Sequence, residues 1–82
     1  MAVNCTINSI TLQSDGSSGV NYLVGVTFND AVSGFQQIKN YAFPSTNTIA
    51  QDRAVIQADL NLLKTSINAA TALQQYVGTV LN

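Results

Sequence analysis

The sequence contains no histidine, no tryptophan and no glutamate, one cysteine, one proline, and only three basic residues. Each scarcity removes a class of explanation. Without histidine, and with the aspartates scattered, there is no ligand set for zinc and no calcium loop, so neither a metal nor any other cofactor is expected. One cysteine, Cys5, cannot close an internal disulfide. Lys39, Arg53 and Lys64 form no basic stripe to neutralise phosphates, which argues against nucleic acid. No run of about 18 apolar residues is available to cross a membrane. The opening "MAVNCTINSI" lacks the basic-then-apolar pattern of a signal peptide, so synthesis in a reducing cytoplasm is expected.

Catalysis requires groups with tuned pKa values brought together. Asp15 and Asp30 fall in predicted turns, where a short carboxylate caps its own backbone. Asp52 falls in the first turn of a predicted helix, where it complements the helix dipole. Asp59 follows seven positions later on the same face, about 10 Å away and too far to act with Asp52 as an acid–base pair. Cys5 lies on an apolar strand face with no base to activate it. "GSSG" lacks the lysine and the strand-to-helix context of a phosphate loop. No enzyme, no catalytic residue and no small-molecule substrate are expected.

What remains is an apolar and neutral-polar chain. Charged residues make up 9% of it, against about 25% in an average globular domain. The 82 residues suffice for one modest core, where burial and ordering entropy nearly cancel. With disulfide and metal removed, a partner is the remaining source of help. A surface of Asn, Gln, Ser and Thr also does little to repel a neighbouring copy.

The pattern along the chain predicts an α+β fold, a three-stranded antiparallel β-meander followed by one long C-terminal α-helix (βββα). Residues 1–43 form the meander, 44–48 a linker and helix cap, 49–77 the helix and 78–82 a tail, all in one domain. In the first strand Val3, Cys5 and Ile7 alternate, and then Ile10 and Leu12 alternate in the opposite parity. One extra residue near Asn8 and Ser9, a β-bulge, restores a common face. After the turn-rich "SDGSSG", residues 20–29 alternate cleanly, with Val20, Tyr22, Val24, Val26 and Phe28 on one side. This uncharged strand is expected in the centre of the sheet, since on an edge it would invite aggregation. Residues 35–43 read as the third strand, although Phe35, Ile38 and Tyr41 also suit a short helix. Pro44 then ends the sheet. Thr48 and Gln51 have capping-box spacing, and Gly78 is placed to end the helix.

Along the helix, Ile49, Arg53, Ile56, Leu60, Leu63, Ile67, Ala70, Gln74, Val77 and Leu81 repeat at alternating intervals of four and three, a heptad seam. Val55, Leu62, Ala69, Leu73, Tyr76 and Val80 form a second apolar line beside it. A helix over 49–77 spans about 44 Å, whereas a strand of nine or ten residues spans about 30–34 Å. Either the small sheet twists to cover both lines, or the helix folds back near Ser66 and Asn68, or the surplus surface meets other chains. The third outcome is favoured, with Ile56, Leu60, Leu63, Ile67, Leu73, Tyr76 and Val80 as the protein interface. Gln74 on the seam either fixes register with a matching partner or is a solvated end residue.

"VTFNDAVSGFQQIKNYAF", residues 26–43, resembles small structural proteins of tailed bacteriophages, in which a strand, an Asp-containing turn with glycine and an aromatic strand lead into a helix. The resemblance implies a virion location, as capsid decoration, neck, tail or baseplate component, with other virion structural proteins as partners. It carries over no functional residue. The function expected is therefore a structural subunit that forms a homo-oligomer and docks into a larger protein assembly. The alternative is a small intracellular adaptor or inhibitor that binds one heterologous protein through the same helix.

Overall fold

A computed structural model describes residues 3–80. Three strands, β1 (Val3–Ser14), β2 (Val20–Asp30) and β3 (Gln36–Phe43), precede a helix α1 (Ile49–Leu73) that tightens into a 3₁₀ turn over Gln74–Tyr76. The sheet is antiparallel throughout, in the order β1-β2-β3, so the uncharged β2 lies in the centre as its composition requires. The fold is βββα.

The parity slip in β1 is a bulge. Ile7 pairs with Val26 and Ser9 with Gly25, which leaves Asn8 as the extra residue. Its side-chain amide donates to the Thr27 hydroxyl at 2.5 Å on the polar back of the sheet. Beyond the bulge Ile10 and Leu12 stand opposite Val24 and Tyr22, back on the face that the first half of the strand presents. Residues 35–43 are resolved in favour of a strand, because Tyr41 and Phe43 pair with Val24 and Tyr22 and complete an aromatic face. The turn between β2 and β3 is held by the Asp30 carboxylate, which accepts from Ser33 Oγ at 2.6 Å and from the Val32 and Ser33 amides at 3.3 Å. Gly34 closes that turn at φ +79°, a conformation that costs any residue with a Cβ.

The helix begins at Thr48, in extended backbone, with both halves of the capping box formed: the Gln51 amide donates to Thr48 Oγ1 at 3.2 Å and the Thr48 amide to Gln51 Oε1 at 2.7 Å. It runs unbroken past Ser66 and Asn68. Regular α-helix was expected to Val77, and the structure ends it four residues sooner, at Leu73. The last turn tightens to i→i+3 bonding, as unpacked helix ends commonly do. Gly78, at φ +87°, reverses the chain.

The core is one cluster of Val24, Val26, Phe28, Tyr41, Phe43 and Ile56, with Cys5, Tyr22, Leu60 and Leu63 packed against it. Phe43 lies between the tyrosines, stacked on Tyr41 (ring centroids 5.6 Å apart, planes at 7°) and tilted against Tyr22 (5.8 Å, 58°). The first half of the helix packs on this face through Ile56, Leu60 and Leu63.

The helix and sheet are offset lengthwise. The 25 residues of α1 span about 38 Å, and the 11 residues of β2 span about 37 Å. The molecule is 60 Å long and 21 Å across. Its radius of gyration is 17.2 Å, where a compact chain of this length has about 12 Å. The tip of the β1–β2 hairpin extends past the start of the helix, and at the opposite end the helix extends past the sheet.

Candidate functional site

All four aspartates are already engaged inside the fold, and together they show how the helix is fixed to the sheet. At the helix start, the Tyr22 hydroxyl and Asn47 Nδ2, the latter at 2.9 Å, both donate to the Asp52 carboxylate. The Asp52 hydrogen bond is the main reason the Tyr22 phenol is pushed above its ordinary pKa. Two turns on, Asp59 Oδ2 accepts from Lys39 Nζ at 2.7 Å and from the Tyr41 hydroxyl at 2.6 Å. Lys39 first, and Tyr41 second, hold the Asp59 carboxyl below its usual value. Burial, helped by Asp59, pushes the Tyr41 phenol far up. Asp15 accepts from Ser45 Oγ at 2.6 Å and from the Ser17 amide at 2.8 Å, and these bonds lower its pKa in that order. Asp30, buried in its turn, is lowered chiefly by the Ser33 hydroxyl.

The roles expected for Asp15 and Asp30 as turn caps are the ones they occupy, and Asp15 also reaches the linker before the helix. Asp52 does more than complement the dipole, because it and Asp59 are the acceptors that receive the sheet's tyrosines. Cys5 is half-buried against the core. Among the described residues no group of three or more potential metal ligands occurs. No described helix is long and apolar enough to cross a membrane.

The chemistry on offer at the surface is apolar. The seven interface candidates divide between the two ends of the helix. Ile56 is buried beneath the helix, Leu60 and Leu63 are half-buried against the same core, and Ile67 is half-buried at its edge. Leu73, Tyr76 and Val80 face solvent, at 60%, 47% and 80% exposure. Every residue of 68–80 is exposed. Ile49, Val55, Leu62 and Val77 are exposed too, so the second apolar line runs uncovered along the helix. Gln74 is solvent-exposed at the join between α1 and the 3₁₀ turn. Leu81, the last seam position, lies outside the described residues.

A second apolar surface lies beside the first turns of the helix. The helix reaches the sheet beside Tyr22 and Phe43, which leaves Ile7, Ile10 and Leu12 of β1 bare on the same side of the sheet. Between them and the first turns of α1 runs an open groove of about 350 Å³, lined by Ile7, Ile10, Val24, Ile49, Ile56 and neighbouring residues. The sequence predicted an uncovered helix face but not this groove. The parity of Ile10 and Leu12 put them on the core face, and only the position of the helix, over their cross-strand partners Val24 and Tyr22 and not over them, shows that nothing within the chain covers them.

No protein-family model, curated protein or solved structure matches the chain.

Proposed function

We propose that this chain is a non-enzymatic structural subunit that self-assembles and docks into a larger protein assembly. The observation that carries the reading is the overhanging end of the helix. Residues 68–80 are all exposed and include Leu73, Tyr76, Val77 and Val80. A helical segment this short, with no tertiary contact, has little stability of its own in water. An apolar surface of this kind on a protein marks an interaction site.

The area supports the same reading. A compact monomer of this mass exposes about 4,700 Å². This chain exposes 5862 Å², an excess of about 1,100 Å². One partner in a standard protein interface contributes about 800 Å². The outer edge of β1, Val3–Ser14, carries no charge and no proline to discourage pairing, so the sheet also offers an edge to a neighbour. The resemblance of residues 26–43 to small tailed-phage structural proteins makes a virion the assembly proposed, with the subunit serving as capsid decoration, neck, tail or baseplate component.

Substitution in the overhang tests this reading without disturbing the core. Leu73→Asp should leave the far-ultraviolet circular dichroism at the wild-type value while reducing the wild-type oligomer to monomer, and the thermal midpoint should fall only by what assembly contributes. A wild type that is monomeric at every concentration would favour the other reading, an adaptor or inhibitor whose helix meets one heterologous protein.

A further inference from the structure

We infer that copies of this chain join head to tail, the helix overhang of one copy seating in the apolar groove beside β1 of the next. This rests on the self-assembly reading and specifies the contact. The groove lies beside the first two turns of α1, and the overhang begins 12 residues past Ile56 on the same helix, about 18 Å away, so one copy cannot bring its own overhang to its own groove. The surfaces are complementary. Ile10 is a sheet residue with nothing packed over it, and Leu73 is a helix residue with no sheet beneath it. A second helix laid beside the first, over β1, supplies what each surface is missing.

The chemistry of the surfaces agrees. From Thr65 to Val80 the chain has no charged residue, so the overhang brings no charge into the groove. Of the charged residues lining the groove, Asp52 is already satisfied by Tyr22 and Asn47, and Arg53 is exposed. The excess exposed area of about 1,100 Å² exceeds the roughly 800 Å² that one partner gives a standard interface. Burying both surfaces on neighbouring copies brings each subunit to the range of a compact chain. Each contact joins an overhang to a groove, so two copies can exchange overhangs in a closed pair, and repetition in one direction gives a larger ring or an open filament.

Complementation by mixing tests this. Ile10→Asp disables the groove and Leu73→Asp disables the overhang. Both positions are exposed, so both variants should fold, as circular dichroism and thermal melting verify; Ile7→Asp and Val77→Asp serve as second choices. Each variant alone should be monomeric by light scattering. Their equimolar mixture retains one good groove and one good overhang, and should give a species of two chains, twice 8.7 kDa, and nothing larger. If the Ile10→Asp and Ile7→Asp variants both assemble like wild type while Leu73→Asp does not, overhangs pair with each other, and the head-to-tail contact is wrong although self-assembly stands. A mixture that stays monomeric also overturns the contact. A monomeric wild type overturns the contact and the self-assembly reading together.

Discussion

The Tyr41 hydroxyl donates to Asp59 Oδ2 at 2.6 Å, with the Tyr41 ring packed into the core and the carboxylate on the helix above it. This contact and its counterpart between Tyr22 and Asp52 fix the helix at two points along its sheet-facing side. They set both its direction and its lengthwise position, and the offset that leaves an overhang follows from that position.

Removing the Tyr41 hydroxyl should therefore be felt. Tyr41→Phe keeps the ring and its stacking on Phe43 but loses the bond to Asp59, and should cost about 1 kcal/mol. Urea unfolding of Tyr41→Phe, Asp59→Asn and the double variant should give a coupling energy of similar size. Lys39→Met should cost less, because the Lys39–Asp59 pair is a partly exposed ion pair, with side chains 46% and 26% accessible, and such pairs contribute about 0–1 kcal/mol. Equal losses for Lys39→Met and Tyr41→Phe would mean that charge, not the phenol, holds the helix at this point.

The carboxyls of Asp15, Asp30 and Asp59 are held below their ordinary value of 3.8 in the folded chain. Their contribution to stability is fully present above that value and is lost as pH falls through the lower folded values. The phenols of Tyr22 and Tyr41 are raised above 10.0. Their contribution is present below 10.0 and is lost as pH rises through the folded values. Stability should form a plateau between about pH 5 and pH 9 and decline on either side. Chemical denaturation across this range checks it, and a maximum near neutrality with steep flanks would contradict it, since no histidine is present to produce one.

Gly34 closes the β2–β3 turn with φ +79° and open space around its missing side chain. Gly34→Ala should therefore cost only the backbone strain, about 1–2 kcal/mol. An unchanged midpoint of denaturation would show that the turn relaxes.

Ile56→Ala and Leu73→Asp should separate folding from assembly. Ile56 is a buried core residue, and its truncation should destabilise the chain by about 2–4 kcal/mol. Leu63 packs against the same core, so Leu63→Asp would damage the fold and cannot report on assembly alone. Measured at a dilution where the wild type is dissociated, Leu73→Asp should leave stability unchanged. Loss of stability in both variants at that dilution would mean that the overhang packs on its own sheet in solution.

The elements were legible because each has a local cause. Period-two alternation marks β2, a parity slip marks the bulge at Asn8, Pro44 ends the sheet, and Thr48 with Gln51 starts the helix. The third strand was ambiguous, because the spacing of Phe35, Ile38 and Tyr41 serves either period, and pairing with β2 decides it. The relation between helix and sheet was not legible. Asp52 and Tyr22 are 30 positions apart, and nothing local says that one will accept from the other. The heptad seam was visible, but which of its turns would meet the sheet depends on where the Tyr–Asp contacts hold the helix. Hence Ile56 and Val77 held equivalent seam positions in the sequence, although one is core and the other is exposed.

The central claim is that the exposed overhang and groove are covered by other copies of the chain. The most direct measurement is the mass of the purified protein by light scattering over about a hundredfold range of concentration, since mass action must reveal a self-associating species. The account predicts a mass well above 8.7 kDa, either constant as in a closed ring or growing with concentration as in a filament. A mass of one chain at every concentration would contradict it.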